Sequence, residues 1–269
     1  MFVFAIRMLR DKWKSFVVYT IAAIAFLEMY IALFPVVRQR ANQFDLVIKT
    51  FPPEIFKAMN IDPSSLSFAN IESYLSSEYM SFLWPILAII FAILLANYIS
   101  INEIDKGTIE TLASLPARRT RIFIERYMVG LLLLAGFCVI SLFGAIPLAI
   151  FHNTEFILAN FMTAAIGSFL FIWAVYSLAT LFSVIFSEKG KASMVTGGVL
   201  ILMYVINIIS VLQTDLKNLQ YFSFFNYFSG SELLAKNVYP EYAFLVLGGF
   251  ALIATLGALF WFNRRDLSV

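Results

Sequence analysis

Few side chains in this sequence could do chemistry, and they are scattered. Glu28 is the only acid inside an apolar run, His152 the only histidine and Cys138 the only cysteine. A carboxylate at membrane depth is a candidate functional group by default. His152 sits in the polar string His152-Asn153-Thr154-Glu155, with no neighbours that would complete a metal set, and reads as a polar loop residue. Cys138 lies in an apolar run, so there is no disulfide framework. The phosphate-cradling pattern GxxxxGK[ST] does not occur: the string around Gly190-Lys191 lacks the first glycine and the hydroxyl residue. The chain therefore does not bind ATP itself. HExxH, GxSxG and paired intramembrane carboxylates are also absent, which argues against a metal hydrolase or an intramembrane protease.

Charge is densest in 103–127, EIDKGTIETLASLPARRTRIFIERY, which lies between two apolar runs. Gly107 breaks what precedes it, and Thr108 can cap a new helix. Ile109, Leu112 and Leu115 then recur at three-residue spacing, an apolar stripe on a short helix. Pro116 ends that helix, because a proline pushes its predecessor out of the α region. From Ala117 the chain re-enters a helix that climbs into the next apolar run. A plain basic loop would satisfy the positive-inside rule. It would not require Glu103, Asp105, Glu110 and Glu125 to alternate with the bases, nor leucines offered between helix breakers. Such a helix suits a groove on another protein.

Glu103, the run Gly107 to Leu112, the turn Ser114 to Pro116 and the run Arg119 to Phe123 together resemble the cytoplasmic loop of type-2 ATP-binding-cassette (ABC) exporter permeases. The resemblance implies a coupling helix that docks on a separately encoded ATPase. It places Glu103, Gly107, Thr108, Ile109, Glu110, Leu112, Leu115 and Arg119 at that docking site. It also implies two permease subunits, as a homodimer or paired with a related permease. ATP and magnesium would be bound by the partner and no cofactor by this chain.

The elements that must position this loop are membrane spans. The 269 residues are 61% hydrophobic and 13% charged with a mean hydropathy of +0.85, well outside the soluble range. A net charge of +2 gives no case for nucleic acid. Spans are expected at about 16–34, 82–101, 128–151, 156–186, 192–212 and 242–262, near the roughly 20 residues a helical crossing needs, except 156–186, which is longer and must tilt or begin in the interface. Residues 1–15 set Phe2, Ile6, Leu9 and Trp13 opposite Arg7, Arg10, Asp11 and Lys14, the pattern of a helix lying in the interface. Residues 35–81 read as a small external helical cap. The expected fold is an all-α integral membrane protein, one permease domain over 16–269 behind the interfacial helix.

Six bases (Arg38, Arg40, Lys49, Lys57, Lys217, Lys236) fall on the outer side of this topology, and the remaining thirteen of 19 on the inner. Both termini are thereby expected in the cytoplasm, in a prokaryotic plasma membrane. On the outer side, Tyr221, Phe222, Phe224, Phe225, Tyr227 and Phe228 crowd a segment too short to cross. It reads either as an interfacial or re-entrant gate, buried against the fifth and sixth spans, or as an aromatic belt at the headgroups. Glu28 likewise either faces protein or a water-filled path, or leans out to the headgroups. The function expected is the membrane subunit of an ATP-driven exporter; a secondary carrier or scaffold without an ATPase is the alternative.

Overall fold

A computed structural model describes residues 3–40, 50–52, 55–56, 70–100, 118–186 and 188–264. Six helices are long and apolar enough to cross a membrane: α1 (Val3–Gln39), α2 (Ile71–Ile99), α3 (Arg119–Phe151), α4 (Leu158–Ile185), α5 (Lys189–Leu212) and α6 (Phe244–Arg264). No strand occurs among the described residues. Every crossing segment is helical for a physical reason: in hydrocarbon a backbone N–H or C=O without a partner is too costly, and a helix satisfies them internally.

α4 forms the axis of the bundle. It packs on α2, α3, α5 and α6, while α1 lies outside against α2 and α3. Its polar residues Ser168, Ser177, Thr180 and Ser183 are buried, so the helix interfaces here mix small hydroxyls with apolar side chains. α5 is peripheral, with Met194, Ile201, Leu202 and Val205 exposed. The end of the bundle from which residues 101–117 depart is called the loop end below, and the opposite one the far end.

Two boundaries differ from expectation. The interfacial segment is not a separate helix: α1 runs unbroken through the expected boundary at residue 15 and on to Gln39, 37 residues in all. At 1.5 Å per residue that is about 55 Å, against a hydrocarbon thickness of about 30 Å. No glycine or proline stands between residues 3 and 34 to end it, and Pro35 falls near its last turn. Second, α2 begins at Ile71, so 71–81 belongs to the helix and not to the cap. Asn70 caps it, its Oδ1 accepting from Ser73 N at 2.9 Å. The polar string that suggested a cap outside the span is internally satisfied: Ser76 Oγ donates to Ser73 O at 2.8 Å, Ser77 Oγ to Tyr74 O at 3.0 Å and Ser81 Oγ to Ser76 O at 2.8 Å. These bonds flank and fill a π-helical stretch, Ser76–Leu83, where the regular ladder is interrupted. α3 begins at Arg119, within two residues of the helical re-entry expected at Ala117. The rest of the expected cap, 41–49, 53–54 and 57–69, lies outside the described residues.

Candidate functional site

At the loop end, Glu103, Gly107, Thr108, Ile109, Glu110, Leu112 and Leu115 lie outside the described residues. Arg119 is the first residue of α3, directly after the loop. What the structure does describe is the frame from which that loop hangs.

Glu125, one turn and a half into α3, has its side chain buried. Its Oε2 accepts from the backbone N–H groups of Phe4 and Ala5 at 3.1 and 3.3 Å, and its Oε1 from Arg121 Nε at 2.7 Å. The first N–H groups of a helix have no intrahelical partner and carry the positive end of its dipole. Glu125 therefore caps α1 from another helix. The next residue does the converse. Arg126, 1% exposed, donates from Nη1 to Ile99 O at 2.9 Å and to Tyr98 O at 3.4 Å, the last carbonyls of α2. Its guanidinium also lies over the Tyr98 ring, 5.3 Å from the centroid. Tyr98 Oη in turn donates to Asp11 Oδ2 of α1 at 2.6 Å.

Side-chain ties complete a collar around the same end. Thr120 Oγ1 donates to Asn263 Oδ1 of α6 at 3.1 Å, Asn97 Nδ2 to Ser193 Oγ of α5 at 2.8 Å, and Ser183 Oγ of α4 to Ala96 O at 3.1 Å. All six spans thus have a side-chain or backbone tie at the level where residues 101–117 leave and return.

At the far end the aromatic segment is divided. Tyr221 and Phe222, in the 3₁₀ helix Thr214–Phe222, are exposed. Phe224, Phe225, Tyr227 and Phe228 are buried. Phe224 meets Phe250 of α6 edge-on at 4.8 Å, and Phe225 meets Tyr204 of α5 at 5.2 Å. Phe228 stacks on Phe171 of α4 at 4.5 Å and on Trp84 of α2 at 5.9 Å. The buried half thus packs on the fifth and sixth spans, as one sequence reading has it, and on the second and fourth as well. Ser223 lets the segment turn inward, its Oγ accepting from Phe225 N at 3.2 Å. Gly230 lets it lie flat on α2: a Cβ there would come within 2.9 Å of both Met80 Cβ and Ser76 O.

Phe225 and Tyr204 also line an apolar groove of about 400 Å³ between α2 and α5, together with Ile86, Ile90, Ile93 and Leu200. Gly197 forms part of the α5 wall, and nothing lies within 4 Å of where its Cβ would be.

Glu28 lies on the far half of α1, and its Oε1 is 2.9 Å from Nε2 of His152, just after α3. It therefore faces protein on this side, and His152 is not a solitary loop residue. Cys138 is buried in α3. Among the described residues no cluster of three metal-ligating side chains occurs.

The model of the family described as ABC-2 family transporter protein matches residues 5–267. The chain belongs to the ABC-2 transporter family. It is accordingly the permease component, a multi-pass membrane chain of a family whose membrane domain has no ATP-binding domain of its own. Compared with curated proteins, this ABC-2 permease finds no match.

Glu125 and Arg126 escaped the sequence reading, which took them as two more charges of an alternating loop. The available signal was their position: opposite charges in adjacent places, immediately before an apolar run. In such a place a charge needs partners from the protein, here helix ends and, for Glu125, Arg121 one turn earlier.

Proposed function

We propose that this ABC-2 permease is the membrane half of an ATP-driven exporter, docked through its 101–117 loop on a separately encoded ATPase. Ile109, Leu112 and Leu115 would enter a groove on that partner, with Glu103, Glu110 and Arg119 at its rim. The observation that carries this reading is the collar at the loop end. Arg126 bonds the last carbonyls of the helix that enters the loop, and it stands on the helix that leaves it. A push on the loop would be delivered to a rigid root. The excess of bases at this end supports a cytoplasmic location for it and for both termini, in the cell membrane.

Cargo would pass along the groove between α2 and α5, completed by a second copy or a related permease on the exposed face of α5. Its almost wholly apolar walls favour an amphipathic or lipid-like molecule, and Phe225 with its aromatic neighbours would close the outer end. Proteoliposomes containing the permease and the ATPase that co-purifies with it test this. Vanadate-sensitive hydrolysis should rise with amphipathic compounds and not with small hydrophilic ones. The absence of any co-purifying ATPase contradicts the reading.

A further inference from the structure

We infer that three consecutive residues of α3, Glu125, Arg126 and Tyr127, form the mechanical hub through which movement of the loop reaches the other spans; this rests on the function proposed above. Glu125 and Arg126 hold the start of α1 and the end of α2. Tyr127 holds two more helices. Its hydroxyl lies 2.8 Å from Ser177 Oγ of α4 and 2.7 Å from Thr255 Oγ1 of α6, and accepts from Trp173 Nε1 of α4 at 2.9 Å. Tyr176 reinforces the joint: its ring stacks on that of Tyr127 at 5.0 Å and its hydroxyl donates to Tyr127 O at 3.4 Å. Gly130 makes room for it, since a Cβ there would overlap the Tyr176 hydroxyl.

Successive residues on a helix point about 100° apart, so three in a row sweep about 200° of the circumference. One turn of α3 thereby grips α1 through a carboxylate, α2 through a guanidinium, and α4 and α6 through one phenol hydroxyl. Buried bonds of this kind are broken only at high cost, since no water replaces the lost partner. The turn lies directly after the loop's return, so α3 cannot shift there without carrying those helices with it. α5 is tied to the collar through Asn97 and Ser193 instead, and it forms one wall of the groove. Displacing the gripped helices against α5 would change the width of that groove. Glu125, Arg126 and Tyr127 are positioning residues in this scheme.

The test uses the permease–ATPase complex in nanodiscs, with a cysteine at Ile201 on the exposed α5 wall in a Cys138→Ala background. Fluorescein maleimide labelling is measured with and without ATP and vanadate. In this parent the trapped state should alter the labelling rate. Tyr127→Phe and Arg126→Met should reduce that nucleotide response at least about fivefold, the scale of a typical allosteric coupling. Hydrolysis and complex recovery should stay near the parent's in Tyr127→Phe, and Arg126→Lys should keep the response that Arg126→Met loses. A merely structural role would lower recovery and hydrolysis without selectively removing the response. An undiminished response in both Tyr127→Phe and Arg126→Met overturns the hub while leaving the proposed function intact. A complex that hydrolyses ATP but shows no response in the parent overturns the proposed movement, and the hub with it.

Discussion

Glu28 Oε1 and His152 Nε2 are 2.9 Å apart, although 124 residues separate them in the chain. The pair fastens the far half of α1 to the far end of α3, two helices whose opposite ends are joined through Glu125. It is a full ion pair only while His152 is protonated, and both side chains keep some exposure, 39% for Glu28 and 22% for His152. We expect a modest contribution. A double-mutant cycle with Glu28→Gln and His152→Gln, read by denaturant titration in detergent, should give a coupling energy of about 1 kcal/mol or less. Transport should change more in Glu28→Leu than in Glu28→Gln, which keeps a hydrogen-bonding group. Zero coupling with unaltered transport in all three variants would return Glu28 to a headgroup role.

The Glu125 cap should matter more. Glu125→Ala leaves the Phe4 and Ala5 N–H groups without their acceptor in a buried place. We expect a loss of about 1–3 kcal/mol, with the first turn of α1 losing hydrogen-exchange protection before the rest of the bundle. Glu125→Gln, which keeps an acceptor, should lose less. Equal stability for Glu125→Ala and the natural protein would contradict the cap.

Gly230→Ala should lift the aromatic segment from α2. The added Cβ meets the backbone oxygen of Ser76 and the Cβ of Met80, neither of which can swing aside. A cost of about 1–3 kcal/mol is expected for this overpacking. Acrylamide quenching of Trp84, which stacks on Phe228, should increase with it. Unchanged quenching and stability would mean that the close approach is not needed.

The six spans were legible because apolar runs of this length have one stable form in lipid, and the helical re-entry at the start of α3 because it follows the break at Pro116. The start of α2 was not. Glu72, Ser73, Ser76, Ser77 and Glu78 look like part of an external cap until the Ser76 and Ser77 hydroxyls are seen bonded to Ser73 O and Glu72 Oε1 is seen accepting from Ile157 N at 2.6 Å. Satisfaction by residues four or eighty-five positions away leaves no periodicity to read. The same holds for Glu125 and Arg126, whose partners are the ends of other helices. Crowding of rings in a segment too short to cross left both a re-entrant segment and an aromatic belt open. Which rings turn in was decided by Ser223 and Gly230, and no composition argument isolates those.

The aromatic segment's proposed gating can be tested through its exposed ring. Phe222, 72% exposed, should approach the second subunit if the segment lies by a dimer axis. Phe222→Cys in a Cys138→Ala background should then form an intersubunit crosslink whose yield changes on vanadate trapping. Free access to reagent in both states, with no crosslink, favours an aromatic belt at the headgroups.

The ATPase is expected to dock on the coupling loop, 103–127. Leu112→Asp places a charge where a buried leucine would contribute about 1.5–3 kcal/mol, or roughly 10- to 100-fold in affinity. The direct measurement is recovery of the ATPase with affinity-purified permease, normalised to permease present in the membrane. We expect recovery to fall at least about tenfold with Leu112→Asp at an unchanged membrane level. An undiminished complex carrying this substitution would contradict the account.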